Sequence, residues 1–202
     1  SALPIGAYSV RELPADVLVF PKGTSHWDPA LPVGCASARR KMQFQQLYPE
    51  AVIQPVRGNV LTRLEKLDSG EYGALILAEA GLKRLGLSDR IAYRFSPEEL
   101  VPAAGQGILA IQTRAGEYAD LLARLNSPDG ALCAKTERQL ASLLGGDCSA
   151  PVGCHAQLHG TDMTLYGFSG IGGVSRYGSV QGNRNDADLL VQQLASKLTI
   201  TE

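Results

Sequence analysis

The sequence predicts an α/β domain, with a parallel or mixed sheet and flanking helices, followed by a small α+β domain with an antiparallel sheet. The first domain is predicted by strand-like apolar runs that alternate with helical patterns, such as the runs at 16–20 and Ala74–Ala78. The second is predicted by short strand-like segments after Pro151, which are separated by Gly-rich turns and followed by a helical segment. The chain has 202 residues, enough for two domains of about 100 residues each.

Composition narrows the class of protein. A net charge of -1 argues against a general nucleic-acid binder and against a protein bound to membrane surfaces. No apolar run reaches the ~18 residues that a membrane span requires. The four cysteines are irregularly spaced, which fits a protein of the reducing cytoplasm better than a disulfide framework.

The first half of the chain predicts short strands and helices in alternation, with Pro and Gly at the boundaries. These are strands at 5–10 and 16–20, a helix from about 37 to 48, a strand that ends near Val56, a helix from 59 to 67 capped by Asn59, and a buried parallel strand at Ala74–Ala78.

The second half predicts a Gly-punctuated turn at 105–107 and a strand after it, followed by helices and then by an antiparallel sheet. Ser127 is a good helix N-cap, Pro128 fits the first helical position, and Gly145 and Gly146 break the helix. The elements are helices at 118–125 and 127–144, strands at 156–158, 164–168 and 178–180, and a closing helix at 186–198 capped by Asn185.

The first strand-to-helix junction has the chemistry of an anion site. A short Gly-containing turn leads into a helix whose first turn carries Ser37, Arg39 and Arg40. Free backbone N–H groups and the helix dipole attract negative charge there, and guanidinium groups add bidentate donors. The alternative is a pair of solvated arginines.

Two further junctions repeat this pattern. Arg57 ends a strand, Asn59 caps the helix that follows, and Arg63 lies one turn into that helix. Arg84 follows the apolar run at Ala74–Ala78. Because α/β proteins bind ligands where strands end and helices begin, three such arginine-bearing junctions predict a cleft for a small polycarboxylate or a phosphate.

The Gly-Gln-Gly turn at 105–107 would allow backbone to approach a ligand closely, with the Gln106 amide as a contact. A single Gly-x-Gly is weak evidence for a nucleotide site, and the sequence has neither a phosphate-loop nor a dinucleotide fingerprint.

Cys148 lies just past the predicted helix at 127–144, on a Gly-rich loop closed by Pro151, where a thiol would be displayed. The alternative is that Cys148 is a small core residue, as most free cysteines are. Cys148 and Cys154 with His155 and His159 do not have the spacing of common zinc modules, so no metal site is predicted.

Several motifs together resemble one family. They are Arg-Gly-Asn-Val at 57–60 with Thr-Arg at 62–63, Lys-Leu-Asp at 66–68 with Gly-Glu-Tyr at 70–72, Ala-Gly-Leu-Lys-Arg-Leu-Gly-Leu at 80–87, and Pro-Ala at 102–103 with Gly-Gln-Gly at 105–107. The chain resembles porphobilinogen deaminase, also called hydroxymethylbilane synthase, over nearly its whole length.

The resemblance implies a transferase of tetrapyrrole and heme biosynthesis that joins four porphobilinogen units with loss of ammonia. It implies a dipyrromethane cofactor bound through a thioether to Cys148, on which the linear tetrapyrrole hydroxymethylbilane grows. The partners implied are therefore porphobilinogen and oligopyrrole intermediates. The resemblance further implies cofactor-binding arginines, with Ser37, Asn59 and Gln106 as substrate-binding neighbours. These arginines are Arg39, Arg40, Arg57, Arg63 and Arg84.

The implied fold has three domains, the first two of them periplasmic-binding-protein-like. Residues 1–101 would form the second domain, 102–126 would return to the first domain, and 127–202 would form the cofactor-bearing C-terminal domain. The family's N-terminal segment with its catalytic Asp is absent from this sequence, so we assign no catalytic residue and expect this chain alone to be inactive. The N-terminal domain is then an implied partner. Without it, apolar strand edges near 102–126 predict self-association.

Two positions depart from the family pattern. Cys35 and Ala36 stand where the family usually has hydroxyl residues before Ser37, and Asp147 stands beside Cys148 where the family has Gly. A carboxylate next to a thiol disfavours the thiolate. The alternative function is therefore a non-catalytic, truncated homologue that binds tetrapyrrole precursors or another polycarboxylate.

Overall fold

A computed structural model describes residues 3–146 and 149–199 of the chain. The helices are α1 (Ala38–Leu47), α2 (Val60–Asp68), α3 (Glu79–Arg84), α4 (Ala119–Leu125), α5 (Pro128–Leu143) and α6 (Ala187–Thr199). The strands are β1 (Ile5–Tyr8), β2 (Asp16–Val19), β3 (Val33–Gly34), β4 (Ile53–Gln54), β5 (Ala74–Ala78), β6 (Ile91–Arg94), β7 (Ala110–Gln112), β8 (Val152–His159), β9 (Asp162–Ser169) and β10 (Arg176–Asn183).

A five-stranded mixed sheet forms the first unit, in the order β4-β3-β5-β2-β6. Its two faces are buried by different helices: Phe44 of α1 packs with one set of strand residues, whereas Leu64 and Leu67 of α2 pack with the other. The buried run Ala74–Ala78 is parallel to β3 but antiparallel to β2. The expectation of a parallel strand is therefore only half right, because burial on both faces does not determine the direction of a neighbour.

A three-stranded antiparallel sheet, in the order β10-β9-β8, forms the second unit. Helices α5 and α6 cover one of its faces, where Leu140 and Leu194 are fully buried with Leu165 of β9. Each strand has eight residues, longer than predicted, because polar and small residues continue the pairing beyond the apolar segments. A 3-10 turn precedes α6, and Asn183, not Asn185, caps it. The predicted α/β and antiparallel α+β classes are both confirmed.

The remaining strands, β1 and β7, pair with each other in a separate two-stranded antiparallel sheet. Close to it, Leu109, Leu121 and Leu125 are about half exposed. Self-association through these apolar side chains stays a prediction. Among the described residues, no helix is both long and apolar enough to cross a membrane.

Candidate functional site

A cleft of about 450 Å³ lies where the start of α1 meets α2 and the chain after α5. It brings Ser37, Arg40 and Arg63 together with Ser149, which directly follows Cys148 in the sequence. Cys148 itself, with Asp147, lies outside the described residues. Three of the predicted site residues therefore share one cleft, next in sequence to the predicted attachment point.

Local physics explains the polar rim of this cleft. Ser37 has extended backbone angles and its Oγ accepts a hydrogen bond from the backbone N–H of Arg40 at 3.4 Å, so it is the N-cap of α1 as predicted. The first turn of α1 carries no acidic residue. The start of the helix therefore presents positive potential to the cleft.

Arg40 is held in place by the interior of the protein. Its Nε donates to Oδ1 of Asp16 at 2.8 Å, and its Nη2 lies 2.7 Å from the same oxygen and 3.4 Å from Oε1 of Gln106. Within the described residues its Nη1 has no hydrogen-bond partner. Arg40 therefore reaches the cleft with its stem and most of its guanidinium fixed, and with one nitrogen for a ligand.

Arg39 lies inside the protein, not on the cleft. Its side chain is 4% exposed, and Nη1 donates to Oδ2 of Asp16 and to the carbonyl of Val101, both at 2.6 Å. A carboxylate of a ligand could reach Arg39 only if this ion pair opened. Arg39 therefore fixes the position of the Asp16 carboxylate and of the backbone at Val101.

Asp16 is the residue that sequence reasoning missed. It is fully buried at the start of β2 and accepts hydrogen bonds from Arg39, Arg40 and Gln106. Burial alone would raise the pKa of this carboxyl, but the charges of Arg39 and Arg40 outweigh burial and hold the pKa below its usual value. The available signal was a carboxylate opening an otherwise apolar strand, since a buried charge requires partners.

The Gly-Gln-Gly turn approaches the protein's own backbone. A Cβ on Gly107, whose φ is +87°, would lie 2.4 Å from the carbonyl oxygen of Glu12. Gln106 donates to the carbonyl of Pro14 at 2.6 Å and to Asp16 at 3.0 Å. The turn therefore requires glycine for a close internal contact, and the Gln106 amide organises the Asp16 network.

The other predicted residues lie around the cleft or farther out. Asn59 caps α2, with its Oδ1 accepting from the backbone N–H of Thr62 at 2.9 Å. Nε of Arg63 donates to the carbonyl of Gly58 at 2.8 Å, which orients the guanidinium. Arg57 is exposed and does not line the cleft. Arg84 is exposed too, and donates to the carbonyl of Gly107 at 3.3 Å.

A second buried carboxylate, Glu137 of α5, joins the C-terminal unit to the turn at 105–107. One oxygen accepts from Nη2 of Arg11 at 2.6 Å and from the backbone N–H of Ala156 at 2.7 Å. The other oxygen accepts from the backbone N–H of Gly105 at 2.6 Å. Glu137 could not be singled out from the sequence, because it occupies an ordinary position in an amphipathic helix.

The described cysteines have the environment of packing residues. Burial raises the pKa of Cys133 to about 11 and raises the pKa of Cys154 further, so both thiols stay protonated at neutral pH. Cys35 is also buried, its pKa is raised, and its Sγ donates to the carbonyl of Ser37 at 3.5 Å. Among residues 3–146 and 149–199, no group of three His, Cys, Asp or Glu side chains has the arrangement of a metal site.

Solved structures resemble this chain loosely. A periplasmic binding protein of Salmonella typhimurium with high arginine specificity is 18% identical, with a TM-score of 0.35, over 67% of this chain and 63% of its own. The L-cystine solute receptor of Neisseria gonorrhoeae is 17% identical, with a TM-score of 0.33, over 72% of this chain and 60% of its own. At these TM-scores we base no conclusion on the likeness.

Curated relatives are far more similar. Porphobilinogen deaminase of Acetivibrio thermocellus is 45% identical over 97% of this chain and 68% of the relative. The enzymes of the same name from Alkaliphilus oremlandii and Thiobacillus denitrificans are 46% and 43% identical, over 82% and 93% of this chain. The chain spans 56% and 63% of the lengths of those two relatives.

Two family models match the chain in succession. The model described as porphobilinogen deaminase, dipyromethane cofactor binding domain, matches residues 1–120. The model described as porphobilinogen deaminase, C-terminal domain, matches residues 131–199. Together with the identities to the relatives, these matches show that the chain belongs to the porphobilinogen deaminase family.

Proposed function

We propose that this chain is part of a porphobilinogen deaminase, in which it holds the oligopyrrole that grows from four porphobilinogen units with loss of ammonia. The observation that carries this proposal is the cleft that joins Ser37, Arg40 and Arg63 to the residue after Cys148. Polymerisation of the whole linear tetrapyrrole belongs to the complete enzyme, and no residue of this chain is proposed for its proton transfers.

The donor set of the cleft fits a polycarboxylate. Every pyrrole unit of the oligopyrrole carries an acetate and a propionate group. Arg40 and Arg63 can each form charge-assisted hydrogen bonds to such groups. Ser37 adds a hydroxyl at the positive end of α1. When bound, the dipyrromethane cofactor supplies the primer to which new pyrrole units are added, and we propose that a thioether to Cys148 attaches it.

The remaining site residues are proposed to have two kinds of role, either positioning Arg40 or binding the outer part of a longer oligopyrrole. Arg39 and Gln106 position Arg40 through Asp16, because all three side chains bond to that carboxylate. Arg57, Asn59 and Arg84 lie outside the cleft of the described residues and are proposed to meet the outer carboxylates of a longer oligopyrrole. The protein is proposed to work in the cytoplasm.

We also propose a division into domains along the chain. The unit at 1–101 holds the arginines, 102–126 belongs with an N-terminal domain, and 127–202 carries Cys148. Residues 5–8 are an exception to this division, because β1 pairs with β7 of the segment 102–126, away from the five-stranded sheet. On this proposal an N-terminal domain is a partner of the chain.

Mass spectrometry of the intact protein tests the proposed attachment. After incubation with porphobilinogen and the N-terminal part of a full-length relative, we expect an added mass of two linked pyrroles, which is absent in Cys148→Ala and retained in Cys133→Ala. Cys133→Ala is the matched control because its thiol is buried and protonated. A mass that stays unmodified even after the N-terminal part of a full-length relative is supplied would contradict covalent attachment.

The role of the cleft is tested separately. Arg63→Gln should reduce the fraction of chain that carries the added mass by about 10-fold, since a charge-assisted hydrogen bond is worth about 1.5–3 kcal/mol. Arg124→Gln is the matched control, because Arg124 is exposed on α4 and far from the cleft lining. Equal loading of the two variants would show that the cleft does not bind the oligopyrrole.

A further inference from the structure

A mostly apolar cavity lies apart from the cleft. It has a volume of about 570 Å³ and lies between the segments 10–15 and 95–102, the start of α5 and the end of β8. It shares no lining residue with the cleft at Ser37, Arg40 and Arg63. Its volume falls in the range of small-molecule sites, which is about 300–1,000 Å³.

The wall of this cavity has a different chemistry from the cleft. Phe95, Pro97, Pro102 and Leu158 give it an apolar surface, with few polar groups among them. The cleft, by contrast, has two arginines in a lining of seven residues. A mostly apolar wall with a few fixed polar groups is typical of a site for an uncharged organic molecule, whereas the cleft suits a polyanion.

Arg11 is the main polar group on this wall. Its Nη2 donates to Glu137 at 2.6 Å and its Nη1 lies 2.9 Å from Nδ1 of His155. Among residues 3–146 and 149–199, Nε of Arg11 is the buried side-chain nitrogen or oxygen that has no hydrogen-bond partner. That nitrogen is itself closed to solvent, but 14% of the Arg11 side chain is exposed, so an acceptor that enters the cavity against the guanidinium group would gain a hydrogen bond to a partly desolvated donor.

The charges around Arg11 determine which kind of hydrogen-bond acceptor the cavity favours. The positive charge of Arg11 is already matched by Glu137, which is fully buried. The acidic residue that lines the cavity, Asp129, is paired with Arg184. A ligand carboxylate would therefore bring an uncompensated negative charge into a partly desolvated space, whereas a neutral carbonyl oxygen would accept the hydrogen bond without that penalty.

We propose that this cavity binds a small, uncharged, mostly apolar molecule that carries one carbonyl-type acceptor against Arg11. The site is independent of the proposed function, because its residues and its ligand chemistry differ from those of the cleft. A ligand in this cavity contacts the segments 10–15 and 95–102 and also the C-terminal unit. Binding therefore stabilises the junction at which Glu137 joins these parts.

Benzophenone is a suitable probe, because it has two apolar rings and one neutral carbonyl, and irradiation crosslinks it to whatever it contacts. We expect it to bind the 202-residue chain with a dissociation constant on the order of 1 mM, as measured by amide chemical shifts in NMR. Diphenylmethane lacks the acceptor and 4-benzoylbenzoate adds a charge. Diphenylmethane should bind about 5-fold more weakly, the equivalent of one hydrogen bond. 4-Benzoylbenzoate should also bind more weakly, because its carboxylate brings an uncompensated charge into the cavity.

A cavity-filling variant locates the site. Ala15 is half-buried on the cavity wall, so Ala15→Phe should abolish binding of benzophenone, and Ala92→Phe, at an exposed alanine of β6, should leave it unchanged. Ala15→Leu replaces Ala15→Phe if the larger side chain prevents folding. Crosslinked peptides should map to 10–15, 95–102 or the start of α5.

Three results would overturn the proposal. Equal affinity for benzophenone and diphenylmethane would remove the role of Arg11 as a donor. Tighter binding of 4-benzoylbenzoate would show that the site prefers anions. Undiminished binding to a folded Ala15 variant, or crosslinks that map outside the cavity wall, would place the probe elsewhere on the protein.

Discussion

Asp16 and Glu137 are two carboxylates that are each fully inaccessible to solvent but have different hydrogen-bond partners. Asp16 is bound mainly by the charged side chains of Arg39 and Arg40. Glu137 is bound by a single arginine and by backbone N–H groups of Gly105 and Ala156. The first arrangement orients side chains toward the cleft, whereas the second joins pieces of backbone that are distant in sequence.

The turn at 105–107 connects these two carboxylates. The backbone of Gly105 donates to Glu137, and the next residue, Gln106, donates its side-chain amide to Asp16. One short turn is therefore hydrogen-bonded both to Glu137 of the C-terminal unit and to Asp16, which binds the arginines at the cleft. Charge pairing at Asp16 therefore orients the side chains of the cleft, whereas backbone hydrogen bonding to Glu137 docks the C-terminal unit beside it.

The largest effect is expected from Asp16→Asn. This change leaves Arg39 and Arg40 in the interior without their counter-charge, and removing one partner of a buried ion pair costs about 3–5 kcal/mol. Urea denaturation should show a free energy of unfolding lower by that amount. Asp68→Asn is the control, because Asp68 pairs with Arg90 closer to the surface. Similar losses in the two variants would contradict the assignment of Asp16 as the centre of the network.

A smaller effect is expected from Glu137→Gln. The amide still offers an oxygen to one backbone N–H but removes the charge that pairs with Arg11, so the free energy of unfolding should fall by about 1.5–3 kcal/mol. Because Glu137 holds Gly105 and Ala156, hydrogen exchange should accelerate at those two amides. Unchanged exchange at both amides would show that Glu137 does not dock the C-terminal unit.

The pH dependence of stability should show the contribution of Asp16 in the wild-type chain. The pKa of Asp16 is lowered in the folded protein, so its stabilising contribution is complete above the ordinary value of 3.8 and is lost as the pH falls from there toward the folded-state pKa. The wild-type chain should therefore lose stability below about pH 4. Asp16→Asn should lack this part of the pH dependence. Parallel stability curves for the two proteins between pH 5 and pH 2, recorded by urea denaturation, would be inconsistent with a lowered pKa at Asp16.

The sequence predicts most of the helices and strands, and it predicts Ser37, Arg40 and Arg63 as donors, but it does not predict α3, β6 or the two carboxylates that lie behind the cleft. Ser37 and Arg40 follow from local rules, because capping and helix dipoles act within a few residues. Asp16 bonds to Arg39 across 23 positions, and Glu137 bonds to Arg11 across 126. Such pairs depend on how distant elements pack, which spacing along the chain does not specify.

The same limit applies to Arg39 and Arg40, which are adjacent in sequence and are both expected from the sequence to bind a ligand. Successive residues on a helix point about 100° apart, so one of them turned to Val101 in the interior while the other lines the cleft. Both guanidinium groups bond to Asp16, whose burial is not visible in a run of only five residues.

The smallest effect tests whether the turn at 105–107 couples the two carboxylates. Gln106→Ala removes hydrogen bonds to Pro14 and Asp16 and should lower the free energy of unfolding by about 1 kcal/mol. Combined with Glu137→Gln, the two losses should differ from additivity by about 0.5–1 kcal/mol, because a turn released at Gly105 no longer holds the Gln106 side chain in position. The measurement is a double-mutant cycle by urea denaturation, with Gln181→Ala in place of Gln106→Ala as the control at an exposed glutamine of β10. If Gln106→Ala and Glu137→Gln were strictly additive, the charged network at Asp16 and the docking contacts at Glu137 would be independent, and each would have to be explained by its own element.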